Sequence, residues 1–255
     1  MRISLITVCY NAASTLGDTV KSVCTQSIPE GAPFELEYIV VDGGSTDHTM
    51  DVLAPYRKNV ATLISEPDKG LYDAMNKGLA AATGEVVGIL NADDFYADAG
   101  VLADVAQAFL NPDVDAVYGD LHYVDAQDPQ KVVRRWKAGT YQPGAFRRGW
   151  MPPHPALFIR RSCYRQWGGF TQTLRSAADY ELMLRFIHRH GMRLHYLPRT
   201  LVHMRAGGVS NASLGHRLRA HREDWEAWRM NGYLPSPLAL LAKPLRKLPQ
   251  FLSRS

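Results

Sequence analysis

The feature that most constrains the fold is a repeated unit, in which a short apolar segment rich in β-branched residues ends in polar residues and precedes an amphipathic segment. The strand-like segments are residues 3–8, 38–41, 61–64 and 86–90, and the helical segments between them are residues 14–23, 49–56 and 72–82. Strands that alternate with helices in this way predict an α/β fold, with a mostly parallel sheet flanked by helices.

Polar residues collect at the ends of the predicted strands. Tyr10 follows the first strand, Asp42 the second, Asp68 the third, and the pair Asp93-Asp94 the fourth. In open α/β sheets ligands bind beyond the carboxyl ends of the strands, so we expect these five side chains to converge on one site. An isolated Asp pair would be explained more simply as a helix cap, and Asp42 could equally close an Asx turn with the residues that follow it.

The chemistry of the converging residues indicates a metal ion and a phosphate. Several carboxylates at one edge of a sheet repel each other, and a bound cation relieves that repulsion. Oxygen ligands with few His or Cys side chains nearby suit Mg²⁺ or Mn²⁺, which keep coordination positions open for substrate phosphates. The sequence therefore predicts a nucleoside-diphosphate derivative as the substrate.

The second half of the chain is less regular. Strands are expected at residues 116–118 and 156–160, and helices at 162–167, 178–190 and 216–230. Residues 134–155 are rich in Arg, Gly, Pro and Trp, and we expect them to form long loops on the acceptor side of the site. This organisation predicts one domain over residues 1–233, with a nucleotide-binding half at about 1–115 and an acceptor-binding half at 116–233.

Composition narrows the function classes further. The chain has 255 residues, 46% of them hydrophobic, which is enough for one large core. Its net charge of +4 is too small to indicate a nucleic-acid partner. The three cysteines form no Cys-x-x-Cys pair, and neither a signal peptide nor an apolar stretch of about 18 residues is evident, so we expect a cytoplasmic protein.

Residues 234–255 form a basic amphipathic tail, in which leucines alternate with lysines and arginines and no acidic residue occurs. Four prolines within the tail argue against one regular helix. The tail either packs its leucines on the domain or docks on anionic lipid at the inner face of the plasma membrane. We favour this peripheral membrane contact, because basic residues near an anionic surface each add about 1 kcal/mol of attraction.

Four segments together resemble the family 2 glycosyltransferases. They are residues 5–11 (LITVCYN), 40–47 (VVDGGSTD), 66–78 (EPDKGLYDAMNKG) and 90–94 (LNADD), and residues 168–170 and 178–182 extend the resemblance to about residue 210. The resemblance implies the GT-A fold and transfer of a sugar, with inversion, from a nucleoside-diphosphate sugar, a UDP-sugar being favoured. The segment YDAMNKG resembles enzymes of bacterial exopolysaccharide and lipopolysaccharide assembly, which implies a glycan or polyprenyl-linked acceptor.

The resemblance also implies roles for the residues near the nucleoside. By motif position, Asp42 is expected to hydrogen-bond the base, with Tyr10 packed against it near Val8. Asp68 and Asn76 are expected to line the same nucleotide pocket.

At the acid pair, the resemblance implies that Asp93 contacts the ribose or the sugar and that Asp94 is the direct metal ligand. One departure from the family pattern is visible, because many relatives have Arg where this chain has Met75. A phosphate or base contact made by that arginine must therefore be absent here or supplied by another residue, such as an arginine of the second half.

Direct displacement with inversion needs a base that takes the acceptor's hydroxyl proton. Asp179 matches the Asp of the family's Glu-Asp signature, although Ala178 stands where relatives have Glu, and Glu181 is the rival base. His154, in a proline-rich loop, is expected to line the acceptor site. His203, ahead of the glycines at 207 and 208, could approach the diphosphate from a closing loop.

Two other functions use similar residues. A sugar nucleotidyltransferase would share the topology and the acidic metal site, but such enzymes usually carry a Gly-rich basic loop after the first strand, where this chain has YNAAS. A binding module that keeps the fold without catalysis is the second alternative.

Overall fold

The computed structural model describes residues 1–207 and 214–235, and for residues 214–218 it describes the backbone alone. The predicted lipid-binding tail, apart from its first two residues, and the segment 208–213 of the predicted closing loop lie outside these ranges. Among the described helices, none is long and apolar enough to cross a membrane.

Nine strands and seven helices make up the described part of the chain. The strands are β1 (Arg2–Cys9), β2 (Glu35–Asp42), β3 (Thr62–Ser65), β4 (Val86–Asn91), β5 (Asp94–Tyr96), β6 (Ala116–Val124), β7 (Val132–Trp136), β8 (Leu157–Arg160) and β9 (Leu194–Arg205). The helices are α1 (Leu16–Cys24), α2 (Thr49–Leu53), α3 (Leu71–Ala81), α4 (Val101–Ala108), α5 (Arg161–Trp167), α6 (Ala178–Met183), which continues as a π-helical turn over Leu184–Arg189, and α7 (Leu214–Met230).

The strands form one mixed sheet in the order β3-β2-β1-β4-β8-β6-β9-β5, with β7 paired to β6. The first four strands are parallel, as the alternating pattern predicts, and their register aligns Cys9 with Asp42 and Val8 with Asn91. Beyond β4 the pairing changes, because β8 is antiparallel to both β4 and β6, and β5 is antiparallel to β9. The carboxyl ends of β1, β2 and β4 therefore lie side by side.

Helix α3 packs against strands β1 and β2. Its buried residues Tyr72, Ala74, Met75 and Gly78 follow helical spacing and form one face. A Cβ atom on Gly78 would stand only 2.4 Å from Cγ2 of Ile6, so the helix approaches β1 more closely than any larger residue permits. The close contact fixes the position of the turn that precedes α3.

Three strands differ from the sequence predictions. β5, β7 and β9 were not expected, and β7 occupies residues 132–136 at the start of the region predicted to be long loops. β7 carries two consecutive arginines on partly buried positions, and β5 is three residues long, so neither shows the apolar run or the clean alternation that marks a strand. β5 depends on pairing with β9, which is distant in sequence, and β7 depends on the hairpin it forms with β6.

Candidate functional site

The nucleoside side of the candidate site begins where β1 and β2 end. Asp42 is 1% exposed, and its carboxylate accepts hydrogen bonds from the Ser45 backbone N–H at 3.2 Å and the Ser65 hydroxyl at 2.7 Å. Asp42 closes the turn after β2 through the residue three positions on, rather than two positions on as in an Asx turn. Val8 is also buried and packs in the core beneath the turn. Base contacts by Asp42 and Val8 remain predictions, and their burial does not favour them.

Tyr10 and Asp68 form the accessible part of this region, next to the buried Gly43. Tyr10 is 62% exposed, and the Oδ1 atom of Asp68 accepts a hydrogen bond from the Gly70 backbone N–H at 2.8 Å. A Cβ atom on Gly43 would lie 2.2 Å from Oδ2 of Asp68 and 3.5 Å from Cδ2 of Tyr10. The missing side chain at Gly43 therefore makes the space in which the Asp68 carboxylate and the Tyr10 ring come together.

Asn76 joins the two halves of the chain. Its side-chain amide donates to the Phe170 carbonyl at 2.8 Å, and its oxygen accepts from the Phe170 N–H at 2.9 Å. These two hydrogen bonds use the side-chain amide of Asn76, which was expected to line the nucleotide pocket. Asn76 thus fixes α3 to the segment that leads into α6.

The acid pair stands between β4 and β5, and its two side chains differ in exposure. Asp93 is partly buried, whereas Asp94 is 0% exposed and accepts a hydrogen bond from the Asn91 side chain at 3.1 Å. The backbone carbonyl of Asp94 accepts from the Thr19 hydroxyl at 2.7 Å, which ties β5 to α1. Of the two carboxylates, Asp93 is the one with access to a ligand.

The electrostatics of the pair fit a cation that is shared with a substrate. Burial raises the pKa of Asp94 well above its usual range, and the charge of Asp93 adds to the rise. Within the described ranges, the Oδ1 atoms of Asn91 and Asp94 are buried without a hydrogen-bond partner. No cluster of three or more His, Cys, Asp or Glu side chains among these residues could hold a metal ion by itself. Two carboxylates suit Mg²⁺ or Mn²⁺ when substrate phosphates supply the remaining ligands.

Arg205 supports the acid pair, and its role was not predicted from the sequence. The Arg205 guanidinium is 7% exposed, donates to the backbone carbonyl of Asp93 at 3.1 Å, and forms an ion pair with Asp18. It also lies 5.2 Å from the ring centre of Phe95. These partners are 112 and 187 positions away along the chain for Asp93 and Asp18, so no local motif could have revealed them.

Asp179 stands in the first turn of α6, and two other helices position it. The Tyr72 hydroxyl of α3 donates to Asp179 Oδ1 at 3.1 Å. Oε2 of Glu223, in α7, accepts hydrogen bonds from the backbone N–H groups of Ser176 and Ala177 at 2.6 and 3.1 Å. The start of α6 is therefore capped by a distant carboxylate, while the Asp179 side chain stays partly exposed.

Glu181, the rival base, is committed to a buried ion pair. It is 3% exposed and accepts from Arg185 Nη2 and from the Asn231 amide, each at 3.1 Å. A carboxylate held in this way cannot take a proton from an acceptor without breaking its pairing. The structure favours Asp179.

The two histidines considered for the site lie in different surroundings. His154 is buried with its ring edge on Phe170 at 5.5 Å; burial lowers its pKa, and the charge of nearby Asp179 acts in the opposite direction. Its acceptor contact remains a prediction. The His203 ring lies between Phe95 and His122, at 5.3 and 5.6 Å, and so belongs to the sheet.

Comparisons with known proteins agree with this geometry. The family profile described as Glycosyl transferase family 2 matches residues 4–178. A PGL/p-HBAD biosynthesis glycosyltransferase of Mycobacterium bovis (strain BCG / Pasteur 1173P2) is 31% identical over 216 residues, which are 82% of this chain and 78% of the relative. An uncharacterized glycosyltransferase of Mycobacterium tuberculosis (strain H37Rv) is 32% identical over 191 residues, 72% of this chain and 68% of the relative.

Two solved structures share the fold. Staphylococcus aureus TarS, in complex with UDP-GlcNAc, is similar with a TM-score of 0.68 and 20% identity, over 100% of this chain and 72% of TarS. The mannosyltransferase PcManGT of Pyrobaculum calidifontis, in complex with GDP-Man and Mn²⁺, is similar with a TM-score of 0.66 and 22% identity, over 98% of this chain and 73% of PcManGT.

Proposed function

Because the chain belongs to glycosyl transferase family 2 and has the GT-A fold, we propose that it transfers a sugar, with inversion, from a nucleoside-diphosphate sugar to a saccharide or lipid-linked saccharide. One observation carries this proposal: Asp94 of the acid pair and Asp179 of α6 both lie near the Tyr123 ring. Burial raises the pKa of the Tyr123 phenol, and the charges of both Asp94 and Asp179 add to the rise, so this ring lies near both carboxylates. A metal-side acid and an acceptor-side base are what direct displacement requires.

The nucleoside is bound by Tyr10 and Asp68. The exposed Tyr10 ring offers an apolar face to a base, and the Oδ2 atom of Asp68, turned towards Gly43, accepts from a base N–H. Oδ1 of Asp68 accepts from Gly70 and Oδ2 faces Gly43, so a ring N–H from the Gly43 side meets Oδ2. This arrangement supports uracil, with its one imide N–H, and therefore a UDP-sugar as the favoured donor.

Although the resemblance implies Asp94 as the metal ligand, Asp93 would hold the divalent ion together with the donor diphosphate. Its exposure supports this role, and the burial of Asp94 supports a different task for the second carboxylate, which is to fix the turn between β4 and β5. Mn²⁺ or Mg²⁺, when bound, neutralises charge on the departing diphosphate. Arg205 donates a hydrogen bond to the Asp93 carbonyl and so holds the Asp93 backbone in place.

Asp179 acts as the general base of the transfer. The acceptor hydroxyl gives its proton to the Asp179 carboxylate while its oxygen bonds to the anomeric carbon, and the bond from that carbon to the diphosphate oxygen breaks. The Tyr72 hydroxyl, which donates to Oδ1, orients the carboxylate. Because Tyr72 is buried, and because burial and the charge of Asp179 raise its pKa, it remains a protonated donor throughout.

The acceptor belongs to cell-surface polysaccharide or glycolipid synthesis. The names of relatives in PGL/p-HBAD biosynthesis support this class. A lipid-linked acceptor would bring the enzyme to the inner face of the plasma membrane through the basic tail of residues 234–255. If protein truncated after Tyr233 sediments with anionic vesicles as well as the full chain does, the tail has no part in membrane binding.

The proposal is tested by incubating the purified protein with UDP-GlcNAc, UDP-glucose, UDP-galactose or GDP-mannose, with Mn²⁺ or with EDTA. We expect one donor to raise the melting temperature of the protein in the presence of Mn²⁺. The same donor should be hydrolysed slowly to its nucleoside diphosphate and free sugar. ¹H NMR of the released sugar should show the inverted anomer first. Retention of configuration, or binding of no donor under either condition, would contradict the proposal.

A further inference from the structure

Four side chains lie in one row across the sheet, from the acid pair to the hairpin formed by β6 and β7. Asp94 of β5 pairs with Met204 of β9, Met204 with Tyr123 of β6, and Tyr123 with Arg134 of β7. Paired residues on neighbouring strands face the same side of a sheet. The row therefore continues the face of Asp94 across three strand spacings, roughly 14 Å.

The guanidinium of Arg134 is held on the ring of Tyr123. Its central carbon lies 4.1 Å from the ring centre of Tyr123 and 5.8 Å from that of Trp136. Arg134 is partly buried, and burial lowers its pKa. The charges of Asp94 and Asp179 both reach the Tyr123 phenol, so the guanidinium stacked on that ring lies near the same two carboxylates.

The proposed donor site carries an excess of negative charge when a donor binds. Asp68, Asp93, Asp94 and Asp179 are all acidic, and a donor diphosphate adds two further negative charges. One divalent ion neutralises two of these charges, and Arg205 beside the acid pair offsets one more, which still leaves an excess of negative charge. Met75 of α3 is 1% exposed in the core and supplies no charge.

We propose that Arg134 binds the diphosphate of the donor and supplies the cation that the first half of the chain lacks. The inference rests on the proposed function, which it deepens by adding a phosphate-binding residue from the acceptor half. A guanidinium suits this task, because its planar fork of donors can bond two phosphate oxygens at once. Stacking on Tyr123 holds the fork in place before the donor arrives.

The adjacent arginine provides a matched control. Arg135 belongs to the next row, which pairs Phe95 with His203, His203 with His122 and His122 with Arg135. Successive residues of a strand point to opposite faces, so Arg135 faces away from Arg134. The substitutions Arg134→Gln and Arg135→Gln make the same chemical change on the same strand.

The test is isothermal titration at saturating Mn²⁺ with UDP or GDP, whichever the wild-type protein binds, and with the corresponding nucleoside. We expect Arg134→Gln to weaken diphosphate binding by about 10- to 100-fold and to leave nucleoside binding unchanged. Arg135→Gln should bind both as the wild type does. Arg134→Lys should recover part of the loss, since it keeps the charge without the fork, and this partial recovery guards against a folding defect.

Equal diphosphate affinity in Arg134→Gln and wild type would overturn the assignment of Arg134 while leaving the proposed function intact. An equal loss in Arg134→Gln and Arg135→Gln would also overturn it, because the effect would then be one of net charge. If the wild-type protein binds no nucleoside diphosphate, the proposed function itself fails.

Discussion

Substituting Gly43 with alanine gives a direct test of the nucleoside-binding region. The new Cβ atom would lie 2.2 Å from Oδ2 of Asp68, well inside any normal contact, and 3.5 Å from Tyr10, which is an ordinary one. The carboxylate must therefore move by about 1 Å, a distance that misaligns a hydrogen bond to a base. Asp68 is a partly buried side chain near the surface, so the fold can absorb the movement.

The expected cost is the loss of one hydrogen bond to a charged acceptor, about 1.5–3 kcal/mol, which corresponds to roughly 10- to 150-fold in affinity. Isothermal titration with UDP or GDP in the presence of Mn²⁺ measures it, and the melting temperature should change little. Gly17→Ala is the matched control, because its Cβ would meet its nearest neighbour, Val52 Cγ1, at 3.5 Å. Unchanged nucleotide affinity in Gly43→Ala would refute the assignment of Asp68 to the base.

Three further predictions follow from the contacts described above. Asp179→Asn should lower turnover by about 10²- to 10⁴-fold and leave nucleotide affinity unchanged. Glu181→Gln should instead lower the free energy of unfolding, measured by urea titration, by about 3–5 kcal/mol, because it breaks a buried ion pair. If Glu181→Gln loses turnover and Asp179→Asn loses only stability, Glu181 is the base. Asn76→Ala should destabilise the fold by about 2–5 kcal/mol, because it leaves the Phe170 N–H and carbonyl unpaired. A loss of nucleotide binding without a loss of stability would show instead that Asn76 lines the nucleotide pocket. Burial, with the charges of neighbouring groups, lowers the pKa of His122 to about 4, below the value of about 6.5 in an unfolded chain. The unfolded chain therefore binds a proton more readily below pH 6.5, and each pH unit below that value costs the fold up to about 1.4 kcal/mol. In urea titrations His122→Gln should lose less stability than wild type between pH 6.5 and pH 5, and an equal loss would show that His122 does not cause the pH dependence.

The parts of the fold that the sequence predicted are those that local pattern determines. β1, β2 and β4 are buried apolar runs, and their parallel pairing aligns the polar residues at their ends as expected. The turn that Asp42 closes after β2 follows from the residues beside it. The strands and the turn are each set by residues within about ten positions of one another, and the parallel pairing follows from the alternation of strands with helices.

The remaining features depend on contacts between residues distant in sequence. Asp93 and Asp94 are neighbours in the chain, yet Asp94 is enclosed because it begins β5, a strand defined only by its pairing with β9. The resemblance implies Asp94 as the metal ligand, and the local pattern does not show that Asp94 is the enclosed one of the two acids. Asn76 and Phe170 are 94 positions apart, and the helical spacing of α3 gives no sign of that partner.

The central claim is that the carboxylate of Asp93 joins the divalent ion to the donor diphosphate. Its most direct test is the ratio of UDP or GDP affinity in Mn²⁺ to that in EDTA, measured for wild type and for Asp93→Asn. The account predicts that wild type binds the nucleotide more tightly in Mn²⁺ and that Asp93→Asn loses this gain while keeping the weaker affinity seen in EDTA. A full Mn²⁺-dependent gain in Asp93→Asn would contradict the account.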